Sequence, residues 1–252
     1  CHHHPNEQWS QRDFYQLAAF FAETKRKGTG ISPPISAGTE FIYHAPGGSV
    51  RHPVSNEVMD PTPLAGTVLA TPAGIDPRET LANWLFAPEN PFFARAMANR
   101  VWGQFFGRGI VHPVDDFRTT NPPTHPELLD ALAADFAKNG FDLKSLMRRI
   151  MNSRLYQMSS IPNMTNAQDK GSFSRFYRRR LSAENLHDIL VQVCGVGSRY
   201  DNLRQGARTA ELWTTIMTSP MLESFGLPNT SRNCTVERDD LSLKHISEPT
   251  RR

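Results

Sequence analysis

Several groups of residues carry chemistry in their types and spacing. The first is the N-terminal run Cys1-His2-His3-His4-Pro5. A Cys followed at once by His is the second half of Cys-x-x-Cys-His, in which two thiols bond to the vinyl groups of haem and the adjacent imidazole becomes an axial iron ligand. The first Cys of that motif would precede residue 1. The same residues support two other readings: Cys1, His2 and His4 offering a thiolate and imidazoles to zinc, with a fourth ligand from elsewhere, or a His-rich surface segment that holds no metal. His2 and His4 are poorly spaced to be the two trans ligands of one haem, because residues two apart do not easily reach opposite faces of one iron. A sixth ligand would then come from His44, His52 or a Met.

The second group is the loop His112-Pro113-Val114-Asp115-Asp116-Phe117-Arg118. His112, Asp115 and Asp116 form a set that can do acid–base work or hold a divalent cation, as a metal-dependent hydrolase requires. The plainer alternative is that Asp115 and Asp116 cap loop amides and pair with Arg118. A third group, Arg175, Arg178, Arg179 and Arg180, suits an anionic sugar or phosphate, or else a solvated face ahead of a helix cap at Ser182. Cys194 falls on the apolar side of a helical pattern and reads as a small core residue rather than a nucleophile. No nucleophile elbow, phosphate loop or Gly-rich dinucleotide fingerprint occurs.

These residues have to be positioned by the segment Asn90 to Met158, where three helix patterns follow one another. The first spans Pro91 to Phe106, with Asn90 as N-cap and Gly107 past its end. Phe92, Phe93, Ala96, Met97, Val101, Trp102, Phe105 and Phe106 make its apolar stripe, and Arg95, Asn99, Arg100 and Gln104 its outer side. After the loop Ile110 to Pro123, Thr124 and Glu127 read as a capping box for a helix burying Leu128, Leu129, Leu132 and Phe136 and stopping at Asn139-Gly140. Asp142 then caps a helix from Leu143 to about Leu155, and the short Gly140 hinge makes an antiparallel helix pair.

Elsewhere, Ser10 caps a helix from Gln11 to about Lys25 that packs Phe14, Leu17, Ala18 and Phe21. Glu40 to His44 and Ser49 to His52 read as a β-hairpin across Ala45-Pro46-Gly47-Gly48. Asp76 opens a helix through Leu81, Trp84 and Leu85. Residues 161–174 read as a polar linker. Ser182 caps a helix Ala183 to Cys194 with Leu186, Ile189, Leu190 and Val193 inside, and a last apolar stretch runs from Ala210 to Met217.

At 252 residues and 38% hydrophobic the chain can bury a substantial core. Its formal charge is +3, of which the last twelve residues hold +2, so the remainder does not suggest a nucleic-acid binder. No apolar run approaches the ~20 residues of a membrane span. Three cysteines do not make a disulfide framework.

The run Cys1 to Tyr15, with His4-Pro5, Glu7 and Trp9, resembles the end of a planctomycete domain of unknown function (1549), whose usual form is Cys-x-x-Cys-His-x-His-Pro-Phe-Glu-x-Trp. Asn6 stands where that form has Phe. Asn99-Arg100-Val101-Trp102, Gly107-Arg108-Gly109, Asp115-Asp116-Phe117-Arg118, Pro126 to Asp130 and Ser153 to Gln157 are similar to the partner domain (1553) that follows it. Arg179 to Glu184 and Cys234 to Arg238 fit that partner too. The resemblance implies a secreted or periplasmic protein, with a c-type haem at Cys1 and His2 and a cytochrome c module or other redox partner. No reaction is assigned to such domains. A structural or polysaccharide-binding scaffold is the rival expectation.

The expected architecture is therefore mainly α, a multi-helix domain with antiparallel helix pairs and a small β-hairpin/loop insertion. Residues 1–27 would end the upstream domain, 28–80 form a Pro/Gly-rich linker with the hairpin, and 81–240 make the helical domain. Residues 241–252 resemble translated adapter sequence rather than a native tail.

Overall fold

Side-chain caps set most of the helix starts. In the computed structural model, which describes residues 7–28, 40–72, 74–179, 181–197, 200, 203–212 and 220–225, Ser10 and Asp13 form a reciprocal capping box at the start of α1 (Gln11–Ala19). Asp76 accepts from the Arg78 amide and starts α2 (Pro77–Leu85). The Arg78 guanidinium, bonded to both Asp76 oxygens, holds that carboxyl down at about 2. Asn90 accepts from the Phe92 and Phe93 amides at 2.9 and 2.8 Å, and α3 (Phe93–Phe106) begins two residues later than the sequence suggests. It ends at Gly107, whose φ of 72° suits glycine. Asp142 caps α5 (Leu143–Met151), and Ser182 caps α6 (Ala183–Cys194), which has the expected bounds. The protein is mainly helical with one small two-stranded sheet among the described residues.

Several local expectations fail. Thr124 and Glu127 do not form a capping box. The Thr124 amide and hydroxyl both donate to the Ile110 carbonyl, at 2.9 and 3.1 Å, closing the loop instead. Helix α4 (Pro126–Lys138) starts at a proline that lacks an N–H to cap. The hairpin is the second failure. β2 (Glu40–His44) pairs not with residues 49–52 but with β1 (Thr24–Gly28), antiparallel, from Thr24↔His44 to Gly28↔Glu40. The first helix thus ends at Ala19, not near Lys25. Turns at Ala18–Phe21 and Phe21–Thr24 reverse the chain. Glu23 then takes His44 Nε2 at 2.6 Å and the Gly47 amide at 2.8 Å, drawing β2 to its side. Gly48 lies so near that a Cβ there would stand 2.1 Å from the Ala22 carbonyl oxygen.

The chain divides into two compact units, residues 1–178 and 179–252. In the first, α3 packs on α4 and α5 over a core of Val101, Trp102, Phe106, Leu129, Leu132, Phe136, Leu146 and Ile150. Ala94, Ala98 and Ala133 are buried in it as well, and their small side chains let helices approach closely. Trp102 and Phe106 stack with centroids 4.2 Å apart. The turn between α4 and α5 is a Schellman motif: the Gly140 amide donates to Ala137, the Phe141 amide donates to Phe136, and the Phe136 and Phe141 rings meet at 5.3 Å. At the end of α1 the inward residues are Ala19 and its C-cap Phe20, while Phe14 in the helix and Phe21 just past it are half exposed, contrary to the helical-wheel expectation. That helix is held by the loop beside it, through Arg12 on Glu57 and Gln16 on Thr62.

Residues 161–174 are no free linker, because Phe173 is buried edge-on to Trp102 and Phe106. Asp169 knits this segment. It accepts from the amides of Gly171, Ser172 and Ser174 and from the Ser174 hydroxyl. Burial works against its ionisation, yet these four donors hold its carboxyl far below the usual range. A depressed folded pKa adds stability above the unfolded value of about 4 that is lost as pH falls towards the folded one. Stability measured by urea titration between pH 5 and pH 2 is therefore expected to fall less steeply for Asp169→Asn than for the parent. Parallel curves would refute this account.

In the second unit, Ala183 of α6 packs on Leu222 of α7 (Pro220–Ser224). The expected inner face is not the inner one. Val193 is 78% exposed, Ile189 is exposed, and Cys194 is a free, exposed thiol rather than a core residue. His187 turns inward instead, its Nδ1 2.7 Å from the hydroxyl of fully buried Thr209, which also meets the Tyr200 hydroxyl at 2.6 Å. Asp188 accepts the Thr209 and Ala210 amides. A buried polar network thus takes the innermost place, while Leu186 and Leu190 of the expected stripe are half-buried. Of the stretch Ala210 to Met217, residues 213–217 lie outside the described residues.

Candidate functional site: the pinned loop between two helices

The loop 107–124 is held from inside by a residue that the helical pattern puts outside. Asn99 is fully buried on α3. Its Oδ1 accepts from the Val111 amide at 2.9 Å, and its Nδ2 donates to the carbonyls of Val111 at 2.9 Å and Val114 at 2.8 Å. Both amide hydrogens and the oxygen are thus engaged. Gly109 passes so close that a Cβ there would lie 2.2 Å from the Val111 oxygen and 2.9 Å from Asn99 Nδ2. Farther along, Asn121 Nδ2 donates to the carbonyls of His112 and Asp116.

On this frame Asp116 and Arg118 come together as a two-bond ion pair of 2.5 and 2.6 Å. The Arg118 guanidinium draws the Asp116 carboxyl below its ordinary range, and Asp116 raises Arg118 in return. Asp115 is exposed, and so is His112, whose peptide bond to Pro113 is cis. Among the described residues no three His, Cys, Asp or Glu side chains gather so as to hold a metal ion. In the arginine group, Arg175 lies over the Tyr177 ring at 5.2 Å and Arg178 reaches the Ser160 hydroxyl at 3.4 Å. Arg180 lies outside the described residues.

Cys1, His2 and His4 also lie outside the described residues, which begin at Glu7. Glu7 accepts from the Thr119 amide at 2.7 Å and its hydroxyl at 3.0 Å. Trp9 meets Phe92 edge-on at 6.0 Å. The N-terminal segment is therefore seated on the far end of the loop and the start of α3. Of the proposed sixth ligands, His44 Nε2 is taken by Glu23, and His52 Nδ1 faces the Val54 and Ser55 amides. Glu7→Ala is expected to speed hydrogen exchange at the Thr119 amide at least several-fold with little change in global stability, since exposed pairs contribute about 1 kcal/mol or less. Unchanged exchange would mean that the contact does not protect that amide.

Sequence reasoning passed over Asn99, Asn121 and Glu7. One signal for Asn99 was present: a poor helix former in mid-helix, between Ala98 and Arg100, is better served by a partner outside the helix.

The geometry defines a helical domain whose loop 107–124 is fastened by a buried amide and receives Glu7. A family model described as a protein of unknown function (DUF1553) matches residues 77–243, and the chain belongs to that family. No curated protein and no solved structure matches it.

Proposed function

We propose that the chain is part of a secreted or periplasmic redox protein of the planctomycete cytochrome-associated type, in which Cys1 and His2 hold a c-type haem against the helical domain. The supporting observation is the seating of Glu7 on Thr119 and Trp9 on Phe92, which holds the chain against the helical domain a few residues after the Cys-His pair in sequence. The donor set fits the group: the Cys1 thiol supplies one thioether and the neighbouring His2 imidazole an axial ligand, with the other thiol from a residue ahead of Cys1. Such a haem would supply one-electron chemistry. This chain would orient it and offer the surface on which a cytochrome c module docks. Zinc on His2 and His4 is the competing occupant.

The test is expression of the parent protein, including the residues ahead of Cys1, with a c-type maturation system. A pyridine haemochrome that is lost in Cys1→Ser and altered in His2→Ala is expected. No Soret band would overturn the haem reading, and stoichiometric zinc in the same sample would establish the other metal.

A second reading, a structural or polysaccharide-binding scaffold without its own catalysis, draws on a different observation. The polar groups of the loop are spent on one another, Asp116 on Arg118 and Asn121 on two carbonyls. That arrangement suits support better than the metal-dependent hydrolysis that His112, Asp115 and Asp116 would otherwise suggest.

A further inference from the structure

The β1–β2 ribbon is lopsided by edge. β1 carries Lys25, Arg26 and Lys27, all exposed, while β2 carries Phe41, Ile42 and Tyr43 with 56, 57 and 45% exposure. A charged edge strand resists further pairing, whereas an apolar one invites it. A two-stranded ribbon by itself is marginal in water, and additional strands stabilise it. Among the described residues nothing pairs with the outer edge of β2.

The direction of the backbone groups on that edge follows from the ladder. The Ala45 amide donates to the Glu23 carbonyl at 2.8 Å, while the Thr24 amide turns to Phe21. Bonded and non-bonded pairs alternate in an antiparallel ladder. Lys25–Tyr43 and Lys27–Phe41 are therefore bonded pairs, and the N–H and C=O of Ile42 point away from β1.

We propose that the outer edge of β2 pairs antiparallel with the same edge of a second copy of this chain, centred on Ile42, to make a four-stranded sheet β1–β2–β2′–β1′. The five residues Glu40-Phe41-Ile42-Tyr43-His44 are self-complementary in that register. Ile42 faces Ile42 as a two-bond pair and Phe41 faces Tyr43, so the centre of the seam is uncharged. Phe41 and Tyr43 of both copies share one face, flanked by Lys25 and Lys27 through their own cross-strand pairing. The cations of each copy go to the outermost edges, where they block a fifth strand and stop assembly at the dimer.

A seam of five residues is small, so the dimer is expected to be weak and to need sedimentation equilibrium over about 1–500 µM of the full chain. Ile42→Pro removes an outward N–H and leaves the β1 ladder bonds in place, and Ile42→Lys sets two cations face to face. Each is expected to raise the dissociation constant about tenfold or more at unchanged helical circular dichroism, while Arg26→Gln on the other strand leaves it within about twofold. A chain that stays monomeric across the range overturns the proposal. So does a dimer whose dissociation constant is the same in both Ile42 variants.

Discussion

Asn99→Ala is expected to lower the stability of the first unit by about 2–4 kcal/mol, the largest effect of any polar substitution in it. The substitution removes little volume, but it strands the Val111 amide and the Val111 and Val114 carbonyls, all bonded to this one side chain. Each buried group left without a partner costs its own desolvation. Asn99→Asp sharpens the argument. A carboxylate keeps the shape and can still accept from Val111, yet it cannot donate to either carbonyl and carries charge into a fully buried position. It is therefore expected to be no better than Ala at neutral pH. Urea denaturation followed by tryptophan fluorescence measures both; a loss below about 0.5 kcal/mol in Asn99→Ala would mean that the loop is held by something else.

Phe106→Ala is expected to cost about 3–5 kcal/mol, the apolar counterpart. Phe106 is 1% exposed. Its ring stacks on Trp102 and meets Tyr156, Phe173 and Phe176 at 5.7 to 5.9 Å. It thereby joins α3 to two segments that follow α5, and no single neighbour can close the space it would leave. Phe106→Leu, which keeps most of the volume, is expected to cost about half as much or less. Near-unchanged near-ultraviolet circular dichroism in Phe106→Ala would contradict the central place given to this ring.

Much of the helical frame was legible because it rests on local chemistry. Ser10, Asp76, Asp142 and Ser182 cap the helices they were expected to cap, and Gly107 and Gly195 end theirs. What could not be read was any feature decided by a partner far along the chain. Phe14 and Asn99 each sit at a helical position whose exposure depends on what packs there. One turned out and the other in. The strand partner of β2 was set by Glu23, a residue with no strand signal of its own, reaching His44 and Gly47. The candidate loop was legible in composition but not in role. Asp116 and Arg118 did pair, but the fastening of the loop comes from Asn99 and Asn121, whose partners are backbone groups that a side-chain inventory does not record.

The turn after α4 bears on the order in which the domain assembles. Phe141 holds a left-handed φ of 60°, next to Gly140 at 65°. For a residue with a side chain this costs roughly 1–2 kcal/mol. The cost is offset partly by Phe136 within the turn, but also by Phe86 at 5.1 Å and Phe93 at 5.5 Å, which arrive with the end of α2 and the start of α3. The helical hairpin that looks most self-sufficient in the sequence is thus completed from outside, and it is expected to form late in folding rather than first. A peptide spanning Thr124 to Tyr156 is expected to show only marginal helicity in water, and a cooperative melting transition from that peptide alone would reverse the order.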